Sequence, residues 1–182
     1  VGEVLSFLGA GIVVALAAAW FDSRTGHIPN WLTYGALAVG PFAHLFYTLA
    51  HTGRRIEALE ELGYAALGAF VCAILPVALF RANALGGGDV KLFVALGGLL
   101  QPLLGLEAEL WSFCAAALLA PVRLAWDGKL FQTVANAAYL AVNPFLPKER
   151  QRLLDRENVS WFRMGPAVLA GVVFTAYLHR RG

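Results

Sequence analysis

Charge is what this chain has least of. Only 14% of its 182 residues are Asp, Glu, Lys or Arg, whereas 59% are hydrophobic. A soluble domain of that size needs more polar surface to cover one core, so a free-standing soluble protein is excluded. Cysteine is nearly absent as well. Cys72 and Cys114 both fall in apolar stretches, and neither belongs to a Cys-x-x-Cys pair. There is therefore no zinc framework and no disulfide scaffold, and both read as small apolar packers. The net charge of +2 is too small to attract nucleic acid. Basic residues are missing ahead of the first apolar run, where Glu3 stands, and no small-residue cleavage site precedes Asp22. That run reads as a retained span and not as a secretory signal.

What the chain has in quantity is long apolar sequence. A helix needs about 20 residues to cross the roughly 30 Å hydrocarbon core of a bilayer. Six runs approach that length: 4–21, 30–49, 62–80, 89–106, 110–126 and 164–178. They predict an all-α, polytopic membrane protein with six transmembrane helices, folded as a single domain over residues 1–182. Small residues recur four apart, as at Ala36 and Gly40 or Ala167 and Gly171. In lipid such spacing lets helix backbones approach closely.

The distribution of charge orients these spans. Loops after spans one, three and five collect ten of the fourteen basic residues, among them Arg24, Arg81, Lys91, Arg123, Lys129 and Arg163. The other side keeps Arg54, Arg55, Arg180 and Arg181, together with Glu3, Glu57, Glu60, Glu61, Glu107 and Glu109. Lys and Arg accumulate in cytoplasmic loops, so the N-terminus is expected outside. Much of the asymmetry comes from the connection at 127–163. There Leu130, Phe131, Val134, Ala137, Ala138 and Ala141 recur at helical spacing, opposite Lys129, Gln132, Thr133 and Asn136. This pattern fits either a short amphipathic helix in the cytoplasmic interface or a plain surface linker, broken by Asn143-Pro144 and Leu146-Pro147 before a charged stretch at 148–158.

Two aspartates stand at span edges. Asp22 ends the first run and leads into Ser23-Arg24-Thr25-Gly26-His27-Ile28-Pro29-Asn30, and Asp89 closes Gly86-Gly87-Gly88. One follows a single crossing and the other follows three, which brings both to the same membrane face. Ionisable groups at membrane depth are costly and so mark function. Two carboxylates that meet across a water are the minimum equipment for acid–base peptide hydrolysis. Asp89 could simply cap a helix, but capping needs neither three preceding glycines nor Lys91 two residues later. The glycines offer a backbone free to adopt positive φ and to lie close to another chain. Asp22 at a helix C-terminus opposes the macrodipole, so its placement favours chemistry over structure. Pro29 fixes the next turn, and Asn30 is the expected N-cap of the second span. A lone loop histidine such as His27 reads as a solvated surface residue, and Asn83 and Gln101 as helix–helix hydrogen-bonding groups.

Asp22 with Ile28-Pro29-Asn30, paired with Gly86-Gly87-Gly88-Asp89-Val90-Lys91, resembles the type IV prepilin peptidases. These are polytopic aspartic proteases with a Gly-x-Gly-Asp (GxGD) motif. Met164-Gly165-Pro166-Ala167 is similar, more loosely, to a Gly-Pro segment of the same family. The likeness runs from about Phe21 to the C-terminus. Longer members carry an N-terminal cytoplasmic segment with paired cysteines and also N-methylate the trimmed pilin. This sequence has no such cysteines and looks like the short, Tad-type form or an archaeal preflagellin peptidase, and no feature of it supports a methyltransferase.

The resemblance implies Asp22 and Asp89 as the catalytic pair, sharing one proton, with no metal, cofactor or covalent intermediate. It implies Gly86, Gly87, Gly88, Lys91, Pro29 and Asn30 around the substrate backbone, with Lys91 either offsetting the site's negative charge or snorkelling to headgroups. The implied substrates are prepilins or pseudopilins of type IV pilus and secretion systems, cut at the cytoplasmic face of a bacterial or archaeal inner membrane. Partners beyond these and membrane lipid are not implied. Three other readings compete, of which a purely structural membrane subunit leaves the glycine-rich acidic loop unexplained. A presenilin-like protease cuts inside the bilayer but carries its aspartates on consecutive spans. A proton-relay or cation transporter needs polar residues in mid-span, and the six runs contain almost none.

Overall fold

A computed structural model describes residues 2–126 and 163–180. The chain divides into two units, Val1–Ala116 with Arg163–Gly182, and Ala117–Phe162. Within the second unit only 117–126 are described, as the end of a helix. The amphipathic segment expected in the long connection lies outside the described residues.

Among the described residues the fold is all helical: α1 (Gly2–Thr25), α2 (Asn30–Thr52), α3 (Arg55–Arg81), α4 (Gly87–Trp126) and α5 (Gly165–His179). Three stretches, Glu3–Thr25, Arg55–Arg81 and Gly87–Val122, are long and apolar enough to cross a membrane, and α5 is a shorter apolar helix. Short connections with defined geometry join the first three. Gly26 (φ 67°) closes α1 with its N–H on the Asp22 carbonyl at 2.9 Å, and Gly53 (φ 68°) closes α2 on the Leu49 carbonyl at 3.0 Å. Both are left-handed C-terminal caps, a conformation that glycine adopts without a Cβ penalty.

Helix α4 is not one rod. Gln101 (φ 65°, ψ 173°) interrupts it, dividing it into arms at 87–100 and 102–126. A straight helix would separate Phe93 from Phe113 by about 30 Å at 1.5 Å per residue. Their rings instead stack with centroids 5.3 Å apart, and a Cβ on Gly105 would lie 3.1 Å from the Gly97 Cα. Within the first unit the arms, over 87–100 and 102–116, are therefore antiparallel, so the length of Gly87–Val122 is not that of a single crossing. The reversal comes at Gln101-Pro102, where Pro102 lacks an N–H and can begin the second arm. The sequence reading had the turn between 106 and 110.

The first arm is the centre of the bundle. Leu92, Phe93 and every residue from Ala95 to Leu100 are buried. Glycines bring its neighbours in. A Cβ at Gly40 of α2 would meet the Gly98 carbonyl oxygen at 2.9 Å, and one at Gly68 of α3 would overlap the Gly97 carbonyl oxygen. On α1, Leu8, Gly11, Ala15, Ala18 and Asp22 are all buried and follow a three-and-four spacing. This is one inward face, so Asp22 completes an apolar stripe of small residues. The second arm packs on α5, where a Cβ at Gly171 would crowd the Ser112 backbone and side chain. Trp111 meets Phe174 edge-on at 4.4 Å.

Gly97→Ala puts a methyl on the Gly68 carbonyl oxygen and 2.6 Å from the Cys72 Cβ, whereas a Cβ on Gly9 meets nothing within 4 Å. Overpacking of this kind costs about 1–3 kcal/mol. Thermal unfolding in detergent should show Gly97→Ala melting well below the wild type and Gly9→Ala unchanged.

Candidate active site

Three helix ends converge at one end of the bundle. Asp22 lies in the last turn of α1, 6% exposed. The helix continues to Thr25, past the end of the predicted span, so this carboxylate points inward from a helix face and not from a loop. Behind it, the Thr25 hydroxyl donates to the Phe21 carbonyl at 2.8 Å and accepts from the His27 N–H at 3.3 Å. His27 itself is exposed. Ile28 is buried, and its Cβ lies 3.5 Å from where a Cβ on Gly88 would stand. This contact sets the start of α4 against the α1–α2 connection.

Asp89 is the third residue of α4, and its carboxylate turns back to accept the Gly86 N–H. That is a helix-capping arrangement, so the structural role considered from sequence is real. It is not the only role open to Asp89, because the two carboxylates are near enough for the charge of Asp22 to act on Asp89. Among the described residues no cation pairs with either one. The three glycines do not supply positive φ, since among the described glycines only Gly26 and Gly53 have it. They supply room. A Cβ on Gly86 would sit 2.9 Å from Asp89 Oδ2, and one on Gly87 would touch the Phe80 ring at 3.5 Å.

Lys91 and Asn30 behave differently from expectation. The N-cap of α2 is Pro29 (φ −62°, ψ 136°), with no side-chain capping bond. Asn30 Oδ1 instead accepts from Lys91 Nζ at 2.9 Å, and the ammonium lies 5.2 Å from the Tyr34 ring centroid. Lys91 thus ties the first turn of α4 to the first turn of α2, where a cation over an aromatic face is favourable. Asn83, expected within a span, sits in the α3–α4 loop at φ 57°, a left-handed conformation Asn tolerates.

The sequence reading left one site group unassigned. The Gly165 N–H, at the start of α5, donates to Asp22 Oδ2 at 2.8 Å. A Cβ there would stand 2.9 Å from the Ala19 Cα, the Asp22 Cβ and Asp22 Oδ2. Free N–H groups at a helix start are natural anion donors. Arg163, two residues earlier, donates to the Ser23 carbonyl. The signal was present in Met164-Gly165-Pro166, where Gly precedes a helix-starting Pro, but the partner of that N–H is 143 residues away. Glu109 was also missed as a buried group. Assigned to an outer loop, it lies in the second arm at 3% exposure, with Oε2 unpartnered. Among the described residues no group of His, Cys, Asp and Glu is arranged to hold a metal ion.

Residues 9–121 match the model of the Type IV leader peptidase family. The chain belongs to that family. No curated protein and no solved structure matches it. Membership makes the chain a leader-peptidase-like protease, and the matched span includes both aspartates and the glycine run.

In a peptidase of this build, Gly165→Val should displace the Asp22 carboxylate. A shift of about 1 Å in a reacting group can cost roughly 10²-fold. Cleavage of a leader peptide by the purified Gly165→Val variant should fall by about that factor, with little loss from Pro166→Ala, an exposed position.

Proposed function

We propose that the chain is an aspartic endopeptidase of the cytoplasmic membrane of a bacterium or archaeon, and that it removes basic leaders from prepilins or pseudopilins. The observation that carries this is that buried Asp22 and Asp89, at the ends of two helices, lie close enough for the charge of one to act on the other, in a member of a leader peptidase family. Two carboxylates in such proximity cannot both ionise cheaply and hold one proton between them. The ionised partner takes a proton from the attacking water. The protonated partner donates to the peptide carbonyl oxygen and then assists the departing amine. Gly86 to Gly88, Pro29 and Asn30 border the substrate backbone, and Lys91 fixes the α2 and α4 ends that frame it.

Depth and side follow from the surroundings. Trp20, Trp31 and Tyr34 are exposed beside the aspartates, and Trp and Tyr favour the membrane–water interface. The scissile bond therefore lies at the interface, below a leader held in water and above an apolar stem in the bilayer. Arg24, Arg81, Lys91 and Arg163 belong to this end, while Arg54, Arg55 and Arg180 belong to the other with Glu3, Glu57 and Glu60, a slight excess of basic residues that supports a cytoplasmic site. With α4 counted as two arms, there are six helical segments among the described residues, which supports the six-span reading.

Asp22→Asn and Asp89→Asn should each abolish cleavage of a prepilin-type substrate by detergent-purified protein while leaving the melting temperature within a few degrees, since a neutral isostere removes the shared proton and little packing. Removing acid–base catalysis costs about 10²–10⁴-fold. Substantial turnover in either variant excludes the pair. Chelators should leave the rate unchanged, and inhibition by them would demand a metal.

A further inference from the structure

At the opposite end of the bundle, a second, half-buried polar cluster surrounds the α4 turn, and the chemistry above makes no use of it. Gln101 holds a backbone conformation (φ 65°, ψ 173°) that residues with a side chain rarely adopt. Its amide donates twice, to Glu61 Oε2 of α3 at 2.6 Å and to His44 Nδ1 of α2 at 3.3 Å. His44, 3% exposed, donates in turn through Nε2 to the Leu99 carbonyl at 2.9 Å. That carbonyl has lost its onward helical partner at the turn. The Phe7 ring stacks on His44 with centroids 3.6 Å apart. The Leu99 carbonyl is thus served by a side chain from a neighbouring helix, the kind of replacement that backbone away from water requires.

The geometry points to His44, Glu61 and Gln101 as positioning residues for Asp89. The first arm is a rigid rod, about 18 Å long from Asp89 to Gln101 at 1.5 Å per residue. Its glycine contacts with α2 and α3 are close but carry no side-chain hydrogen bond. The Gln101 latch supplies the directional bonds that fix its height and rotation, and so fixes Asp89 relative to Asp22 on α1. A strained residue persists where its surroundings over-determine it, and here two side chains from two helices do so. The inference rests on the aspartate pair proposed above.

The test separates strain from positioning. Gln101→Gly removes the latch bonds and also relieves the backbone, so a purely structural role predicts a variant as stable and as active as the wild type. The positioning role predicts unchanged melting with kcat lowered roughly tenfold or more at unaltered KM, since misorientation acts on the chemical step. Glu61→Ala should lower kcat in the same way, and Glu61→Gln, which keeps an acceptor oxygen for Gln101, should restore it. Spin labels at Ser23→Cys and Ala84→Cys, with Cys114→Ser, read the geometry directly, and Gln101→Gly should broaden or shift their distance distribution. A wild-type kcat and distance in Gln101→Gly overturns the proposal. Asp22→Asn run alongside tells the two failures apart, because activity surviving that change overturns the aspartate pair itself.

Discussion

A short helix enclosed by other helices governs this structure. The first arm of α4 has 14 residues, about 21 Å at 1.5 Å per residue, which is less than the roughly 30 Å of a hydrocarbon core. Exposed to lipid, it would leave polar backbone at both ends without partners. Surrounded by α1, α2 and α3, it can start and stop within protein. Glycine makes the enclosure tight, at Gly40, Gly68 and Gly97, because in a bilayer helices attract through close packing and not through exclusion of water. The two ends of this arm then carry the two polar clusters: Asp89, within electrostatic reach of Asp22, at one, and Gln101, bonded to His44 and Glu61, at the other.

That enclosure explains how a chain so poor in charge keeps carboxylates among its packed helices. Asp22 ends a stripe of small side chains on α1 and accepts an N–H from the start of α5. Asp89 begins α4 and accepts an N–H from its own cap. Each therefore has a backbone donor, and among the described residues neither has a cationic partner. A Lys or Arg paired with one of them would hold its charge and withdraw it from proton exchange. Lys91, the basic residue nearest in sequence, is occupied by Asn30 and Tyr34 instead.

Part of this was legible in the sequence because it depends on local pattern. Apolar run lengths predicted helices, the parity of crossings brought Asp22 and Asp89 to one end, and the paired motifs pointed to the leader peptidase family. The errors came where a long-range partner decides. Asn30 looks like an N-cap, yet its oxygen serves Lys91, 61 residues away. Gly86 to Gly88 look like a hinge with positive φ, yet they make space for Asp89 and Phe80. The α4 reversal was sought at Glu107 to Glu109, where charge interrupts the apolar run, but the chain turns at Gln101-Pro102. There a missing N–H and a side chain with two donors outweigh hydropathy. That shift moved Glu109 from an expected loop into the bundle interior.

The most direct measurement is the affinity of a leader-junction peptide whose scissile amide is replaced by a hydroxyl-bearing tetrahedral isostere. Such a group mimics the hydrated carbonyl, and a site complementary to the transition state binds it far more tightly than substrate. Calorimetry on the detergent-purified protein should find tight binding that is lost in both Asp22→Asn and Asp89→Asn. Equal binding by the wild type and either variant would mean that the two carboxylates do not jointly hold the reacting carbon.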